Sequence, residues 1–275
     1  MVTYTHSWKA RNQDAVIATD RLIAAIDGCS PISSADGSGE RVSDFAATFA
    51  EDLAASVSDP GHVHGQIATA LQNTQKRCGN HGVTATLALA VWDAENLAAA
   101  VIGDSPVVVE RAGEDATVII TDPAYDGHED AALARVREAL SEGVPASRAY
   151  TSARPLLSTD RVARNTCEGR WIISDFTPAK DVAARITVRT FPTGSVSRVS
   201  ACTDGMSRIV ELLGVLTYPE LFDRVQAGAG DELVSIIDEL ENDDLEGAKL
   251  PRFSRRDDMS AAIGVPDRPI TPSAD

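Results

Sequence analysis

Apolar residues recur every three to four positions in several segments, a spacing typical of helices that bury one face. In the first of these segments, Val42, Phe45, Phe49 and Leu53 predict a helix over about 40–57. A second helix is predicted over about 62–77, after the break at "DPGHVHG". The same spacing predicts four later helices, over about 129–142, 206–213, 218–227 and 231–240.

Short apolar runs separated by turn residues predict the strands. These runs lie at about 15–18, 22–26, 83–91, 96–102, 106–111, 116–121, 170–174, 196–203 and 259–265. Neighbouring strands joined by tight turns are antiparallel. Strands, two helices, a run of strands, more helices and a last strand do not alternate as β-α-β-α. This order favours antiparallel sheets with segregated helices, an α+β fold.

The segment 123–165 interrupts this order of elements. After its predicted helix it is polar and contains Pro145 and Pro155, so we interpret it as an insertion over one edge of a sheet. The last residues, 267–275, have the composition of a disordered tail. We therefore predict one domain over 1–266 that carries an insertion.

Composition excludes several classes of protein. The 275 residues contain 25 Lys and Arg against 41 Asp and Glu, a net charge of −16, which argues against a nucleic-acid-binding protein. The four cysteines are scattered singly, which is typical of a reducing compartment, and we expect a cytoplasmic protein. The longest apolar stretch, Val83–Val101, is interrupted by charged residues and predicts two strands rather than a membrane span.

Aspartates stand at the ends of many of the predicted strands. Asp14 precedes one run, whereas Asp27, Asp104 and Asp204 follow others, and Asp257 precedes the last. Asp and Gly also form turns, so a single example would carry little meaning. If several of these strand ends meet, they form a cluster of carboxylates that needs cations to neutralise it. Carboxylate oxygens are the ligands that hard divalent cations prefer.

Six short motifs occur in an order that resembles a known family. They are "RNQDA", "AIDG", "GVTATL", "GDS", "TDGMSR" and "RDDMS". In this order they resemble the metal-dependent Ser/Thr protein phosphatases, the type 2C or PPM family, especially its bacterial forms. The resemblance covers about residues 3–265 and implies a four-layer α-β-β-α sandwich of two antiparallel sheets flanked by helices. It also implies that 123–165 is the variable flap of that family.

The resemblance implies a site with two Mn²⁺ or Mg²⁺ ions that activate a water for hydrolysis of a phosphomonoester. The resemblance implies that Asp14 and Asp27 are metal ligands, that Asp27 bridges the two ions and that the Gly28 backbone carbonyl is a further ligand. Asp204 and Asp257 supply the later ligands.

Two of the carried-over positions leave alternatives open. The family's last motif usually reads D-N, whereas this chain reads Asp257-Asp258, so either aspartate could be the ligand; we favour Asp257. Asp104 resembles a residue that holds a third, weaker metal in bacterial members. Its alternative role is that of a turn former.

The chain also departs from the family pattern near the first motifs. The phosphate-binding arginine of the family corresponds to Lys9, with Arg11 two residues further on, and either could bind phosphate. Cys29 stands where some members have a histidine that acts as a general acid. "ADGSG" offers a rival Asp36-Gly37 pair, but a predicted strand precedes Asp27, which we prefer.

The function implied is hydrolysis of phosphoserine and phosphothreonine in a phosphorylated protein substrate by a monomeric signalling enzyme. Two alternatives stay open. The changes at Lys9 and Cys29 are compatible with a pseudophosphatase that binds without turnover. A phosphohydrolase of small phosphorylated metabolites would carry the same metal site.

Overall fold

The structure is a computed structural model that describes residues 1–29, 38–113, 116–125, 130–167 and 169–266. The rival pair Asp36-Gly37 and the predicted tail 267–275 lie outside these residues. The strands are β1 Val2–His6, β2 Asp14–Thr19, β3 Leu22–Cys29, β4 Thr84–Trp92, β5 Asn96–Ile102, β6 Val107–Arg111, β7 Thr117–Ile120, β8 Ile173–Ser174, β9 Thr187–Pro192, β10 Val196–Cys202 and β11 Met259–Gly264. The α-helices are α1 Ser38–Ser56, α2 Val63–Cys78, α3 Asp130–Ser141, α4 Ala146–Ala163, α5 Ala179–Ala183, α6 Asp204–Glu211, α7 Tyr218–Gln226 and α8 Gly230–Asn242.

The strands form two antiparallel sheets. One has the order β1-β11-β10-β6-β7 and the other the order β2-β3-β4-β5-β9, with β8 paired to β4. The first and last strands of the chain are neighbours, since Val2 pairs with Ile263 and His6 with Met259. This pairing brings the segment after β1 next to the segment before β11.

Three apolar interfaces separate four layers. Helices α1 and α2 cover one face of the β2–β9 sheet, with Phe45, Phe49 and Leu71 buried there. Alternate residues of the same strands, such as Ile23 and Leu97, face the second sheet. Alternation is the normal consequence of the pleat, which turns successive side chains to opposite faces.

On the far side, helices α6, α7 and α8 cover the sheet that contains β1. Met206, Phe222 and Ile237 pack there against residues of β10 and β11. The layers are therefore helices, sheet, sheet and helices. The predicted α+β sandwich of two antiparallel sheets flanked by helices is confirmed.

The segment 123–165 contains more helix than predicted. Helix α3 was expected, but the polar stretch after it forms α4, an 18-residue helix with Pro155 inside it. Ala149 and Ala153 of α4 pack against Ala132 and Val136 of α3 as a separate small core. Small residues at helical spacing form this interface, and the polar, Pro-containing sequence did not indicate the second helix.

Three further elements were not predicted: β1, α5 and β9. In β1 half-buried and exposed residues alternate, and β9 has only Phe191 fully buried. Both lie at the edges of their sheets, where one side of the strand is unpaired and hydrophobic patterning is weak. No helix in the described part of the chain is long and apolar enough to cross a bilayer.

Candidate metal centre

The hairpin of β2 and β3 positions the first two aspartates. Asp14 and Asp27 lie opposite each other in its register. At the next residue, the Gly28 backbone N–H donates to the Gln13 carbonyl at 3.2 Å. A Cβ atom on Gly28 would lie 2.5 Å from that carbonyl oxygen and 2.4 Å from Val42 Cγ1, so only glycine fits.

Asp204 is brought to the same place by the start of α6. Thr203 lies between β10 and α6, and its hydroxyl donates to Asp14 Oδ2 at 2.9 Å. The Ser260 N–H of β11 donates to the same Thr203 oxygen at 3.1 Å. A Cβ on Gly205 would lie 2.1 Å from the Asp258 carbonyl oxygen. The backbone of α6 therefore packs directly against the backbone of the residue before β11.

The two adjacent aspartates before β11 have different surroundings. Asp258 is buried and accepts hydrogen bonds from the Gln13 N–H at 2.8 Å and the Ser7 hydroxyl at 2.5 Å. Its carboxylate therefore joins the last strand to the segment between β1 and β2. Asp257 is partly exposed, and its charge is among the causes that raise the pKa values of both Asp27 and Asp204. Both aspartates therefore lie near the other carboxylates, since the charge of Asp258 acts on Asp14 and that of Asp257 acts on Asp27 and Asp204.

Asp104 follows a glycine that the fold requires. Gly103 has φ +96°, and a Cβ there would lie 2.6 Å from Thr86 Cβ. The Gly103 N–H donates to Asp122 Oδ2 at 3.1 Å, and the hydroxyls of Thr86 and Ser105 are 2.5 Å apart. Asp122 is thus a structural carboxylate, whereas Asp104 is exposed and its charge acts on Asp27 and Asp204.

The pKa values indicate how closely the carboxyl groups interact. Burial, together with the charge of Asp258, raises the pKa of Asp14 to about 7, although hydrogen bonds to its charged form act in the opposite direction. Burial raises the pKa of Asp27 well above its usual value, and the charges of Asp204, Asp14, Asp257 and Asp104 add to the effect. The pKa of Asp204 is raised by burial first and then by Asp104 and Asp257. We call these five aspartates (Asp14, Asp27, Asp104, Asp204 and Asp257) the carboxylate cluster.

The donor atoms of the carboxylate cluster suit hard cations. Asp14 Oδ1 and Asp204 Oδ1 are buried and lack any hydrogen-bond partner, an expensive state for a carboxylate. Among the described side chains, however, no three His, Cys, Asp or Glu groups lie close enough together to coordinate one metal ion. Like charges at close range repel, so carboxylates in such a cluster are more stable when they stand apart.

Lys9 and Arg11 point to different parts of the molecule. Lys9 Nζ lies 3.0 Å from Asp257 Oδ1, 3.2 Å from Asp258 Oδ2 and 2.9 Å from Gln13 Oε1. Arg11 pairs instead with exposed carboxylates of α1, 3.4 Å from Asp44 and 3.7 Å from Glu40. Of the two candidates for phosphate binding, Lys9 is the one beside the carboxylate cluster.

Cys29 ends β3 and lies next to the carboxylate cluster. Burial raises the pKa of its thiol, Asp27 raises it further, and Arg164 lowers it in part. The thiol is therefore protonated at neutral pH.

Two arginines near the carboxylate cluster were not predicted as site residues. The Arg164 guanidinium donates to Thr84 Oγ1 at 3.4 Å, and its charge acts on Asp104 as well as on Cys29. Arg208 donates to Glu241 Oε1 at 2.8 Å and lies 3.9 Å from Asp257 Oδ2. Arg208 belongs to "TDGMSR", so the motif contained a signal that could have found it, whereas Arg164 lies at the end of the flap and belongs to no motif.

No protein-family model matches the chain, and neither does any curated protein sequence. Solved structures do match it. The Mycobacterium tuberculosis serine/threonine phosphatase PstP/Ppp is 18% identical, with 96% of this chain and 97% of that one aligned and a TM-score of 0.54. The catalytic domain of PstP in complex with two manganese ions is also 18% identical over 96% and 97%, with a TM-score of 0.51. Stp1 from Staphylococcus aureus is 13% identical over 97% and 96%, with a TM-score of 0.50.

The two-sheet sandwich is thus the fold of the type 2C (PPM) serine/threonine phosphatases. The likeness covers nearly the whole of this chain and of each of these phosphatases.

Proposed function

We propose that the chain is a member of the PPM family and a metal-dependent phosphatase of phosphoserine and phosphothreonine. The observation that carries the proposal is the carboxylate cluster, in which aspartates from separate elements raise one another's pKa values. Two of its buried oxygens have no hydrogen-bond partner, as expected of atoms that bind a cation. The neighbour with two manganese ions adds support from a protein of the same fold.

In this proposal Asp14, Asp27, Asp204 and Asp257 hold two Mn²⁺ or Mg²⁺ ions, with the Gly28 carbonyl as a further ligand. Asp104 serves a third, weaker site. Bound divalent ions supply Lewis-acid activation of water and neutralise phosphoryl oxygens. The hydroxyl of Thr203 orients Asp14 by its hydrogen bond, and Asp258 keeps the Lys9 segment against the last strand.

Lys9 is the residue of this proposal that contacts the phosphoryl group. Its ammonium group lies beside Asp257 and Asp258, where a phosphate bound at the carboxylate cluster would be within its reach. A thiol with a raised pKa is a poor acid at neutral pH, so we assign protonation of the leaving group to solvent rather than to Cys29.

The test is turnover of a generic aryl phosphate with millimolar Mn²⁺ and with chelator. Metal-dependent turnover, followed by release of phosphate from phosphothreonine peptides, is the expected result. Turnover that is equal in chelator and in Mn²⁺ contradicts the metal mechanism. Turnover of aryl phosphate and small phosphorylated metabolites, without turnover of any phosphopeptide, favours the metabolite phosphohydrolase.

A pseudophosphatase is the second candidate, and one observation favours it. The ammonium group of Lys9 already has three acceptors, from Gln13, Asp257 and Asp258. An ammonium group carries three donors, so all of them have partners before any phosphate arrives. Binding of a phosphopeptide in Mn²⁺ without release of phosphate would identify this function.

A further inference from the structure

A groove of about 850 Å³ begins at Asp104 and runs beneath the flap helix α4. Its walls come from the loop after β7, from the C-terminal half of α4, from the segment 169–171 and from the residues around Arg185. The groove therefore meets the carboxylate cluster at Asp104, and the rest of its lining lies outside that cluster. We call it the flap groove.

Four arginines line the flap groove: Arg161 and Arg164 at the end of α4, and Arg170 and Arg185 from later segments. Two acidic residues are among its described lining, Asp104 and Asp122. Asp104 belongs to the carboxylate cluster. Asp122 is buried, and its two oxygens accept hydrogen bonds from the N–H groups of Gly103 and Ala124. Arginine is therefore the dominant charged residue of the described walls.

Aromatic rings hold two of these arginines in place. The Arg170 guanidinium lies 4.2 Å from the centre of the Tyr125 ring, and the Arg185 guanidinium lies 4.9 Å from that of Trp171. Stacking uses the flat face of a guanidinium and leaves its N–H groups at the edge. Arg185 is exposed and already held in this way, so it loses little further side-chain freedom when it binds a carboxylate or a phosphate, whereas the buried Arg170 contributes its charge to the wall of the groove.

The positive charge of the described groove walls contrasts with the charge of the chain. The net charge of −16 repels an acidic partner at long range. A chain that acts on acidic segments therefore needs cations close to its site, and the flap groove supplies them.

We propose that the flap groove binds the part of the substrate chain next to the phosphorylated residue. It selects segments that carry further carboxylates or a second phosphate. This inference rests on the proposed phosphatase function and adds a substrate preference to it.

The experiment compares two phosphothreonine peptides, one with Asp and Glu neighbours and one with Gln and Ala neighbours. The variant is Arg161→Gln/Arg185→Gln, which changes two exposed groove residues outside the carboxylate cluster. Its matched control is Arg148→Gln, an exposed arginine near the other end of α4 that does not line the flap groove. Aryl phosphate is the third substrate, since it is too small to reach along the groove.

We expect wild-type protein to prefer the acidic peptide. The double variant should lose about tenfold in kcat/KM on it, because two charge-assisted contacts are removed. Its activity on the neutral peptide and on aryl phosphate should stay within about twofold of wild type, as should the control on all three substrates. Equal losses on both peptides, or no loss on either, overturn the inference.

A binding measurement separates this inference from the proposed function. Fluorescence anisotropy of the labelled acidic peptide in chelator reports the flap groove without turnover, and its affinity should fall as salt rises, because screening weakens contacts between exposed charges. Suppose that no substrate is hydrolysed but wild-type protein binds the acidic peptide and the double variant binds it more weakly. The phosphatase proposal then fails, whereas the proposal that the flap groove binds acidic segments holds. Displacement of the peptide by a single-stranded oligonucleotide at equal concentration would indicate a nucleic-acid-binding surface and overturn the proposal for the flap groove.

Discussion

Aspartates that look alike in the sequence have two different environments in the structure. Asp204 has a buried oxygen without a partner, whereas Asp175 accepts hydrogen bonds from the His81 N–H at 2.7 Å and the Val83 N–H at 3.0 Å. Both follow apolar runs. What separates them is whether backbone N–H groups of another segment reach the carboxylate, and this depends on contacts between residues distant in sequence.

The first prediction uses this difference. Asp204→Asn should lower kcat by roughly 10²-fold or more, because a metal ligand is lost, while the protein still folds. Removing one charge from the carboxylate cluster should slightly raise the melting temperature in chelator.

Asp175→Asn is the matched control for that prediction. It should leave kcat within about threefold of wild type but cost stability, since an amide oxygen replaces only one of the two acceptors. The assignment of Asp204 as a ligand would be wrong if both variants lost kcat equally, or if Asp204→Asn lost none.

The second prediction concerns Lys9. Lys9→Ala removes the cation beside Asp257 and Asp258 and should lower kcat/KM about tenfold, since charge-assisted hydrogen bonds are worth more than neutral ones. Arg11→Ala is its control and should stay near wild type, as Arg11 contacts exposed carboxylates of α1. Inhibition constants for inorganic phosphate, measured for both variants, check whether Lys9 contributes more than Arg11 to phosphate binding. A larger effect at Arg11 than at Lys9 would reverse the assignment.

At the scale of elements, a buried ion pair connects α6 and α8 to the carboxylate cluster. Glu241 of α8 is fully buried and accepts from Arg208 at 2.8 Å, and Arg208 also donates to the carbonyls of Ser254 and Arg255 at 3.3 and 3.4 Å. These contacts hold the segment that carries Asp257.

The third prediction follows from that ion pair. Glu241→Gln removes the buried charge that lies 2.8 Å from Arg208 and 3.5 Å from Arg252, and it leaves Arg208 with Asp257 at 3.9 Å. It should cost roughly 3–5 kcal/mol of unfolding free energy, measured with urea. It should also raise the Mn²⁺ concentration needed for half-maximal thermal stabilisation, since Asp257 is less well held. Glu239→Gln, an exposed position of the same helix, should change neither quantity.

The fourth prediction concerns pH and the segment after α8. Burial alone would raise the pKa of Asp244, but N–H groups of Leu250, Lys249 and Ala248 and the Arg252 guanidinium outweigh it and hold the pKa below its usual value. A carboxylate with a lowered folded-state pKa contributes stability at pH values above its unfolded-state pKa. That stability is lost as pH falls through the lowered folded-state value.

Asp244→Asn should therefore destabilise the protein at pH 7 by about 1–3 kcal/mol. The difference from wild type should shrink toward roughly pH 3, below the ordinary pKa of an aspartate. Urea unfolding at both pH values measures it. A difference that grows toward low pH would contradict the assigned role of Asp244.

At the scale of the whole molecule, the prediction concerns metal and stability. Ions that bind the folded chain alone stabilise it by mass action, about 2.7 kcal/mol at 100 times their dissociation constant. Millimolar Mn²⁺ should raise the melting temperature by roughly 5–10 °C relative to chelator. In Asp204→Asn the rise should be much smaller. Identical melting curves in Mn²⁺ and chelator would contradict a metal site in the folded chain.

Much of this architecture could be predicted from the sequence because buried strands and amphipathic helices have strong periodic patterns. The hairpin β4–β5 and helices α1 and α2 are examples. Helix α4 could not be predicted in this way, since its interface consists of alanines such as Ala149 and Ala153 and its interior contains Pro155. The aspartates at the strand ends could be recognised in the sequence as candidates for one cluster, whereas the partners of Lys9 and the flap groove depend on tertiary contacts.

The pairing of β1 with β11 has a consequence for how the chain acquires its site during synthesis. A ribosome synthesises Val2–His6 long before Met259–Gly264, and these two strands are neighbours in one sheet. Until the later strand emerges, Lys9 has neither Asp257 nor Asp258 to contact, and β10 lacks its neighbour in the sheet. The candidate metal centre is therefore completed late, after nearly all of the described chain has left the ribosome. Nascent chains that stop before residue 257 would lack both Asp257 and the last strand, and we expect them to be inactive.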